Sequence, residues 1–293
     1  MSNTTIDTLK EQDYLFLVKA ALQEDLLEIG DTTSIATIPA ELNAKAVLIT
    51  REDCYCAGLP VAEASFYYVD DSLKFTALVQ DGDFCPAGTE LASITGNAQS
   101  LLTAERTALN FLQRLTGIAT TSNRYVKAAG DTGTKILDTR KTTPGYRIME
   151  KYAVNMGKAV NHRIGLYDRI MIKDNHRELA SLEGEGGIIR SVEACRQKFP
   201  KLEVEVEADH LSEVAEALKS GAEYILLDNM TNEEISNAVQ QRNEAKSSAL
   251  LEISGGVTLE RIPELSKLGA DFISVGALTH SVKSTDISLD IKL

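Results

Sequence analysis

Five side chains that can bind anions follow short apolar runs in this sequence, where strands of a sheet would end. Arg140 and Lys141 follow KIL in DTRKTTPG, His162 and Arg163 close VNHR, and Lys173 follows RIMI. A desolvated carboxylate or phosphate needs paired cations of this kind, and an arginine can grip a carboxylate through two parallel hydrogen bonds. The cluster therefore predicts a pocket for a ligand with several negative charges.

Two carboxylates repeat the pattern further along the chain. Glu207 lies at the end of LEVEVEA, and Asp228 follows YILL. Carboxylate oxygens can hold Mg²⁺, and fixed negative charge can stabilise a cation that develops during a reaction. A single charged strand end is usually only a solvated residue, but successive strand ends of this kind favour a catalytic site.

Small residues close the last two runs. SGG and SVGALTH supply the candidate phosphate site, which consists of Ser254, Gly255, Gly256, Gly276 and His280. Backbone N–H groups and a helix N-terminus at the last strands of a barrel suit a phosphate, although SGG alone is more often a plain turn. The whole set fits a phosphorylated sugar that carries a pyrophosphate, together with a second substrate that carries carboxylates.

The elements that position these residues alternate between strand and helix from about residue 134 onwards. The apolar runs are KILDTR, VNHR, RIMIKDN, LEVEVEA, YILLDN, LLEISGG and FISVGAL. This alternation predicts a parallel sheet, and in a parallel α/β barrel all the strand ends meet on the face where active sites are built.

The chain up to about residue 112 has a different pattern. Residues 9–27 predict an amphipathic helix, and the runs AKAVLIT, ASFYYV, LKFTALV and ELASIT predict strands of an antiparallel sheet. The stretch SLLTAERTALNFLQRLTG predicts a strong helix, on which Arg106, Asn110 and Arg114 form a polar stripe beside an apolar face.

Composition excludes several classes of protein. The 293 residues carry a formal net charge of −13, so the overall field repels nucleic acids and anionic membranes. The N-terminus lacks the pattern of a signal peptide, and the apolar runs are too short to span a membrane. The four cysteines, Cys54, Cys56, Cys85 and Cys195, have no zinc-site spacing and indicate reduced thiols in a cytoplasmic protein.

Long ordered motifs of this chain resemble those of the quinolinate phosphoribosyltransferase family. They are DTRKTTPG, EKYAV, NHRIGLYD, IKDNH, VEVEA, ILLDNM, EISGGVT and ISVGALTHS, and the resemblance covers nearly the whole chain. It implies an N-terminal α/β sandwich with an antiparallel sheet over residues 1–112 and an incomplete, seven-stranded α/β barrel over 113–280. The tail, 281–293, is expected to return to the first domain.

The resemblance also implies a reaction and partners. Quinolinate attacks C1 of phosphoribosyl pyrophosphate (PRPP) through its ring nitrogen, pyrophosphate leaves, and CO₂ is lost to give nicotinate mononucleotide for NAD synthesis. This is a pentosyltransferase reaction that uses Mg²⁺. The implied assembly is a cytoplasmic homodimer with shared active sites, or a higher oligomer such as a hexamer, with no nucleic-acid or membrane partner.

The roles of individual residues carry over by motif. Arg140, His162, Arg163 and Lys173 are expected to bind quinolinate, joined by Arg106 from the neighbouring subunit. Lys141, Glu207 and Asp228 are the expected catalytic residues, and the two carboxylates are also the expected metal ligands. The phosphate of PRPP is expected at Ser254, Gly255, Gly256, Gly276 and His280.

The sequence departs from the family at one place and leaves alternatives open. MGKAVNHR carries Lys158 and Ala159 where the family has glycines, which predicts a stiffer loop.

A related phosphoribosyltransferase of the molybdenum-transport-associated ModD group, which acts on another carboxylated base, is the nearest alternative, although LYDRIMIKDNH favours the quinolinate family. A lipoyl-type carrier is disfavoured because no lysine lies between Lys74 and Lys127, and an inactive regulatory barrel is disfavoured because every reactive position is filled.

Overall fold

The chain folds into two compact units in the computed structural model, which describes residues 5–180, 182 and 186–292. One unit, here called the sandwich unit, contains Thr5–Asn123, Lys141–Ala159 and the stretch that starts at Leu278. The other, the barrel unit, contains Arg124–Arg140 and Val160–Ala277. The segment that carries the DTRKTTPG motif is thus divided between the units after Arg140.

The sandwich unit is built on an antiparallel sheet with the strand order β12-β1-β5-β3. These strands are β1 Asn43–Thr50, β3 Lys74–Ala77, β5 Glu90–Asn97 and β12 Ile287–Lys292, and a separate pair consists of β2 Cys54–Tyr55 and β4 Phe84–Cys85. The last strand pairs with the first, in a register that places Ile287 opposite Thr50. Apolar side chains of β1 and β5 pack with helical side chains around Phe66 and Leu101 to form the core.

Helices cover this sheet. They are α1 Glu11–Leu26, α2 Thr32–Thr37, α3 Leu59–Val69, α4 Ala98–Ala129 and α5 Arg147–Met156. The predicted strand ASFYYV is wrong, because it forms the second half of α3. Pro60 lies in the first turn of α3, where a missing N–H costs nothing, and Ala62 and Phe66 are four residues apart and point into the core.

Helix α4 continues past the glycine at which the sequence pattern placed its end. It runs to Ala129, and its last residues, from Arg124, belong to the barrel unit. Gly117 lies within it, and a Cβ at that position would lie 2.4 Å from the backbone oxygen of Lys283. This glycine therefore permits close packing of two backbone segments and does not end the helix.

A loop that follows α5 carries the departure from the resembled family. Lys158 adopts φ +69°, in the left-handed region that favours glycine, while its N–H donates to the backbone oxygen of Asn155 at 2.8 Å. Lys158 therefore adopts a backbone conformation that glycine would adopt more readily. The left-handed conformation costs an ordinary residue about 1–2 kcal/mol.

The barrel unit has a parallel sheet with the strand order β6-β11-β10-β9-β8-β7. Its strands are β6 Lys135–Leu137, β7 Ile170–Ile172, β8 Val204–Ala208, β9 Tyr224–Asp228, β10 Leu250–Ser254 and β11 Phe272–Ser274. The predicted fold class, an antiparallel N-terminal sheet followed by an incomplete α/β barrel, is confirmed. The seventh predicted strand, VNHR, is reduced among the described residues to one parallel bridge between Val160 and Leu137.

Helices follow the barrel strands as the alternation predicts. They are α6 Asp174–Leu179, α7 Gly187–Lys198, α8 Leu211–Ser220, α9 Asn232–Glu244, α10 Ile262–Leu265 and α11 Ala277–His280, with a 3₁₀ turn at Leu259–Arg261. Helix α9 begins with a capping box, in which the Thr231 hydroxyl accepts the N–H of Glu234 and the Glu234 carboxylate accepts the N–H of Thr231.

Two further sequence expectations concern membranes and cysteines. Within the described part of the chain, no helix combines the length and the apolar character that crossing a bilayer requires. All four cysteines are free thiols, and three of them, Cys54, Cys56 and Cys85, are buried in the core of the sandwich unit.

Candidate active site

The carboxyl ends of the central barrel strands carry a layer of polar side chains, here called the mouth layer. Its members are Lys173, Glu207, Asp228 and Ser254. Asp228 and Ser254 are paired in register on β9 and β10, and Glu207 lies on the adjacent strand β8. The parallel sheet therefore brings together four residues that are as much as 81 positions apart in the printed sequence, as the strand-end pattern predicted.

A direct ion pair joins the cationic and the acidic members of this layer. The Lys173 ammonium contacts the Glu207 carboxylate, and the lysine side chain is 43% exposed while the glutamate side chain is 11% exposed. Burial raises the pKa of Glu207, the Lys173 ammonium opposes that shift, and the nearby Asp228 carboxylate adds to it. The proximity of Asp228 makes Glu207 and Asp228 a pair of oxygen ligands of the type that Mg²⁺ accepts.

The SGG motif forms a tight turn directly after β10. Gly255 has φ +91°, and a Cβ there would lie 2.1 Å from the Asn229 side-chain oxygen. Asn229 in turn donates its backbone N–H to the Ser254 carbonyl at 2.9 Å. Gly256 has φ +58° and open space around it. The turn therefore requires glycine at 255, and it leaves room beside Gly256 for a ligand to approach the backbone. Gly276 follows β11 in the same unit.

Two arginines lie close enough to repel each other. Arg163 is 8% exposed, and its Nη1 donates to the carbonyl of Arg169 at 3.1 Å. Burial lowers the pKa of Arg163, and the charge of Arg140 lowers it further. Arg140 is half-buried in the same unit. A ligand with two negative charges would relieve this repulsion better than a ligand with one.

A second polar layer lies beneath the mouth layer, and the strand-end pattern did not predict it. We call it the interior cluster, and it consists of His162, Glu205, Glu252 and Arg169. Glu205 and Glu252 lie two residues before Glu207 and Ser254 on their strands, so they point to the same face of the sheet. Their carboxylates lie 3.2 Å and 3.4 Å from Nε2 of His162. Charged residues at alternating positions of otherwise apolar strands are the sequence signal for them, but half-exposed strands show the same pattern.

The surroundings of His162 differ from those of an open ligand-binding imidazole. Its side chain is 5% exposed, Nε2 faces the two glutamates, and Nδ1 accepts the backbone N–H of Arg163 at 2.7 Å. The charges of Glu252 and Glu205 oppose the effect of burial and favour a proton on Nε2, the ring nitrogen that they face.

Three of the predicted site residues belong to the sandwich unit. Arg106 is exposed on α4. Lys141 is exposed, and its carbonyl accepts the Thr279 hydroxyl at 2.7 Å. His280 is exposed at the end of α11, with Nδ1 2.7 Å from the Ser281 hydroxyl. The barrel unit contains the other ten predicted site residues, which are Arg140, His162, Arg163, Lys173, Glu207, Asp228, Ser254, Gly255, Gly256 and Gly276.

The sandwich unit also anchors the second half of the DTRKTTPG motif. Glu150 is fully buried, and its carboxylate accepts the N–H of Thr143 at 3.1 Å, the Thr143 hydroxyl at 2.9 Å and Nη2 of Arg114 at 2.9 Å. Arg114 also donates to the carbonyl of Thr279 at 2.5 Å. The sequence placed Arg114 on a polar stripe but did not identify Glu150 as its partner.

Taken by itself, the barrel unit can bind a highly anionic ligand. It presents buried and half-buried cations at one group of strand ends, a carboxylate pair at the next, and a glycine turn after that. The cations can hold carboxylates, the carboxylate pair can hold Mg²⁺ or stabilise a positively charged carbon, and the turn can bring backbone N–H groups to a phosphate.

Comparison with known proteins finds matches that cover both units. Residues 118–290 match the family described as quinolinate phosphoribosyl transferase, C-terminal domain, and residues 31–116 match its N-terminal domain. The chain is 41% identical to the chloroplastic nicotinate-nucleotide pyrophosphorylase [carboxylating] of Arabidopsis thaliana, over 95% of this chain and 83% of that protein. It is 40% identical to the Mycobacterium leprae protein of the same name, over 94% and 95% of the two chains.

A solved structure is similar over the full length. The nicotinate-nucleotide pyrophosphorylase from Francisella tularensis superimposes with a TM-score of 0.92 at 36% identity, covering 99% of this chain and 100% of that one.

Proposed function

The chain belongs to the quinolinate phosphoribosyltransferase family, and we therefore infer that it catalyses the reaction for which the family is named. It joins quinolinate to phosphoribosyl pyrophosphate and forms nicotinate mononucleotide, pyrophosphate and CO₂ in NAD biosynthesis. This makes it a nicotinate-nucleotide pyrophosphorylase (carboxylating), a pentosyltransferase. The full-length relatives favour this function over the alternative of a ModD-type enzyme.

The ion pair between Lys173 and Glu207 is the observation that best supports this chemistry. It marks where the cationic strand ends meet the acidic strand ends within one unit. Quinolinate is a dianion, and the carbon it attacks becomes positively charged as pyrophosphate leaves. A site for this reaction needs cations around the base and anions around the sugar, and this arrangement supplies both.

The cations are assigned to quinolinate. Arg140 and Arg163 repel each other in the free protein, and two carboxylates would pair with both guanidinium groups. Lys173 would bind a carboxylate and orient Glu207. Lys141 would reach between the two substrates, while His162 would support the pocket from below. Binding the base in this way holds its ring nitrogen towards C1 and excludes water from its carboxylates.

The carboxylate pair is assigned to the sugar and the metal. Glu207 and Asp228 would hold Mg²⁺, which neutralises pyrophosphate charge when it is bound. Their own negative charge would stabilise C1 as the bond to pyrophosphate breaks. The phosphate on the sugar would accept hydrogen bonds from the turn at Ser254, Gly255 and Gly256, with Gly276 and His280 completing that end.

The enzyme is proposed to act as a homodimer with shared sites, or as a larger assembly such as a hexamer. Arg106, exposed on the polar stripe of α4, would enter the site of the neighbouring subunit. The compartment is proposed to be the cytoplasm, a setting that suits the four free cysteines.

Substrate choice tests the function directly. The protein is incubated with Mg²⁺, PRPP and either quinolinate or nicotinate, and release of CO₂ and mononucleotide is measured. We expect quinolinate turnover to exceed nicotinate turnover greatly, because two carboxylates use the cations better than one. Equal turnover of the two bases would contradict the assignment.

A further inference from the structure

The interior cluster contains two buried glutamates for which the reaction above gives no role. Glu205 and Glu252 are fully buried, and both face Nε2 of His162. Glu205 also pairs with Nη1 of Arg169 at 3.5 Å. Neither carboxylate oxygen of Glu252 accepts a hydrogen bond of normal geometry among the described residues, so the charge of Glu252 is directed at His162. Burying such a carboxylate is costly unless another group compensates it.

The hydrogen bond at Nδ1 decides what this cluster can hold. Because Nδ1 of His162 accepts the Arg163 N–H at 2.7 Å, its lone pair is occupied and the ring proton belongs on Nε2. A protonated Nε2 has no lone pair for a metal ion, although the three side chains are spaced closely enough to hold one. The cluster is therefore arranged to hold an N–H between two carboxylates.

Hydrogen bonds to the Asp138 carboxylate connect the cluster to the proposed quinolinate pocket. The N–H of His162 donates to Oδ1 of Asp138 at 2.7 Å, and the side-chain amide of Asn161 donates to Oδ2 at 2.8 Å. Asp138 lies two residues before Arg140, and His162 directly precedes Arg163. A movement of the imidazole would therefore be transmitted to both segments that carry the mutually repelling arginines.

From this geometry we propose that Glu252 and Glu205 are positioning residues for quinolinate, acting through His162. The proposal rests on the proposed function, because it takes Arg140 and Arg163 as the groups that bind the carboxylates of the base. The buried glutamates hold the imidazole, and the imidazole holds the backbone of Arg163. Their negative charge beneath the pocket also stabilises the two guanidinium groups before the dianion arrives.

Glu252 is the better residue to change, because Glu205 also pairs with Arg169. The test compares Glu252→Leu, which removes the polar group, with Glu252→Gln, which keeps its shape and removes only its charge. Ile253→Val is the matched control, since Ile253 is a buried neighbour on β10 whose side chain points to the other face of the sheet. Steady-state KM values for quinolinate and for PRPP are measured with each variant, together with its melting temperature.

We expect the KM for quinolinate to rise about tenfold or more in Glu252→Leu, because the imidazole loses one of the two buried carboxylates that face it. The KM for PRPP should rise much less than the KM for quinolinate, because the Glu252 carboxylate faces His162 and the proposal gives it no contact with the phosphate. Glu252→Gln, which keeps the shape but loses the charge, should give a KM for quinolinate between those of the wild type and Glu252→Leu. A folded Glu252→Leu with an unchanged quinolinate KM would overturn the proposal, and so would an equal rise for both substrates.

A spectroscopic test does not depend on turnover. The chain has four histidines, and His176, His210 and His280 are exposed, so a slowly exchanging imidazole N–H in nuclear magnetic resonance spectra would belong to His162. The wild type should show this proton on Nε2, and Glu252→Gln should shift its signal. A proton on Nδ1 would overturn the proposal even if Glu252→Leu failed to fold. A wild type without quinolinate turnover would contradict the proposed function instead, and the imidazole signal would still report on the cluster.

Discussion

Lys173 and Glu207 form a side-chain ion pair across two neighbouring parallel strands, although 34 residues separate them in the chain. The pair couples the group assigned to the base with the group assigned to the sugar. Because burial and Asp228 raise the pKa of Glu207 while Lys173 lowers it, the lysine helps to keep this carboxylate ionised.

The first prediction concerns pH. Glu207 must be ionised to stabilise a developing cation, so activity should fall as the pH falls through its raised pKa. Removing the lysine charge in Lys173→Met should raise this pKa further and move the acid limb of kcat to higher pH. The measurement is kcat against pH at saturating substrates. Lys173→Arg keeps the charge and serves as the control, and an acid limb that did not move in Lys173→Met would contradict the coupling.

A second prediction concerns Asp228, which lies on the adjacent strand. Asp228→Asn keeps the size and removes the charge, so kcat should fall by about 10²–10³-fold, while quinolinate binding should weaken much less. Single-turnover rates and equilibrium binding of quinolinate separate the two effects. Glu233→Gln, an exposed change in the first turn of α9, should leave both at the wild-type value. If Asp228→Asn retained wild-type kcat, Asp228 would be only a strand-end charge.

The turn after β10 gives a third prediction. A methyl group at position 255 would meet the Asn229 oxygen at 2.1 Å, so Gly255→Ala should distort the turn and raise the KM for PRPP by about tenfold or more. Gly221→Ala is the matched control, because Gly221 has a similar φ of +73° but open space around it. Both variants carry the cost of a left-handed alanine. An equal KM for PRPP in the two variants would exclude the turn as the phosphate site.

The fourth prediction tests the sharing of sites between subunits. Arg106→Ala and Lys141→Ala should each be nearly inactive alone, and mixing them with subunit exchange should restore activity. In a mixed twofold dimer one site carries both defects and the other carries neither, so random mixing should recover at most about a quarter of the wild-type rate. Exchange is verified by mass spectrometry of differently tagged subunits. No recovery after verified exchange would show that Arg106 does not complete the site of another subunit.

Much of the barrel was predictable because the carboxyl ends of parallel strands meet at the same edge of a sheet. Apolar runs that each close on a polar residue identified Lys173, Glu207, Asp228 and Ser254, and the parallel register then brings such residues to one edge whatever their distance along the chain. The sequence could not distinguish Glu205 and Glu252 from solvated charges, because a glutamate that alternates with valine or leucine is also typical of a half-exposed strand.

Local patterns failed where tertiary packing decides the structure. ASFYYV has the aromatic content of a strand, but it forms a helix behind Pro60 that buries Phe66 and leaves Tyr67 and Tyr68 exposed. The sequence pattern ended a helix at Gly117, but this glycine lies within α4 at a point where the backbone of Lys283 packs closely against it. Both errors arise because a short stretch of sequence does not contain the segment against which it will pack.

The loop at Lys158 has a consequence for how this family can be recognised and engineered. Lys158 takes a left-handed conformation that usually favours glycine, so the turn forms here without one. A sequence motif written as a run of glycines would reject this chain, whereas a motif written as backbone angles would accept it. The same position also offers a way to raise the free energy of unfolding, because Lys158→Gly would release the strain of the turn and leave the path of the backbone as it is.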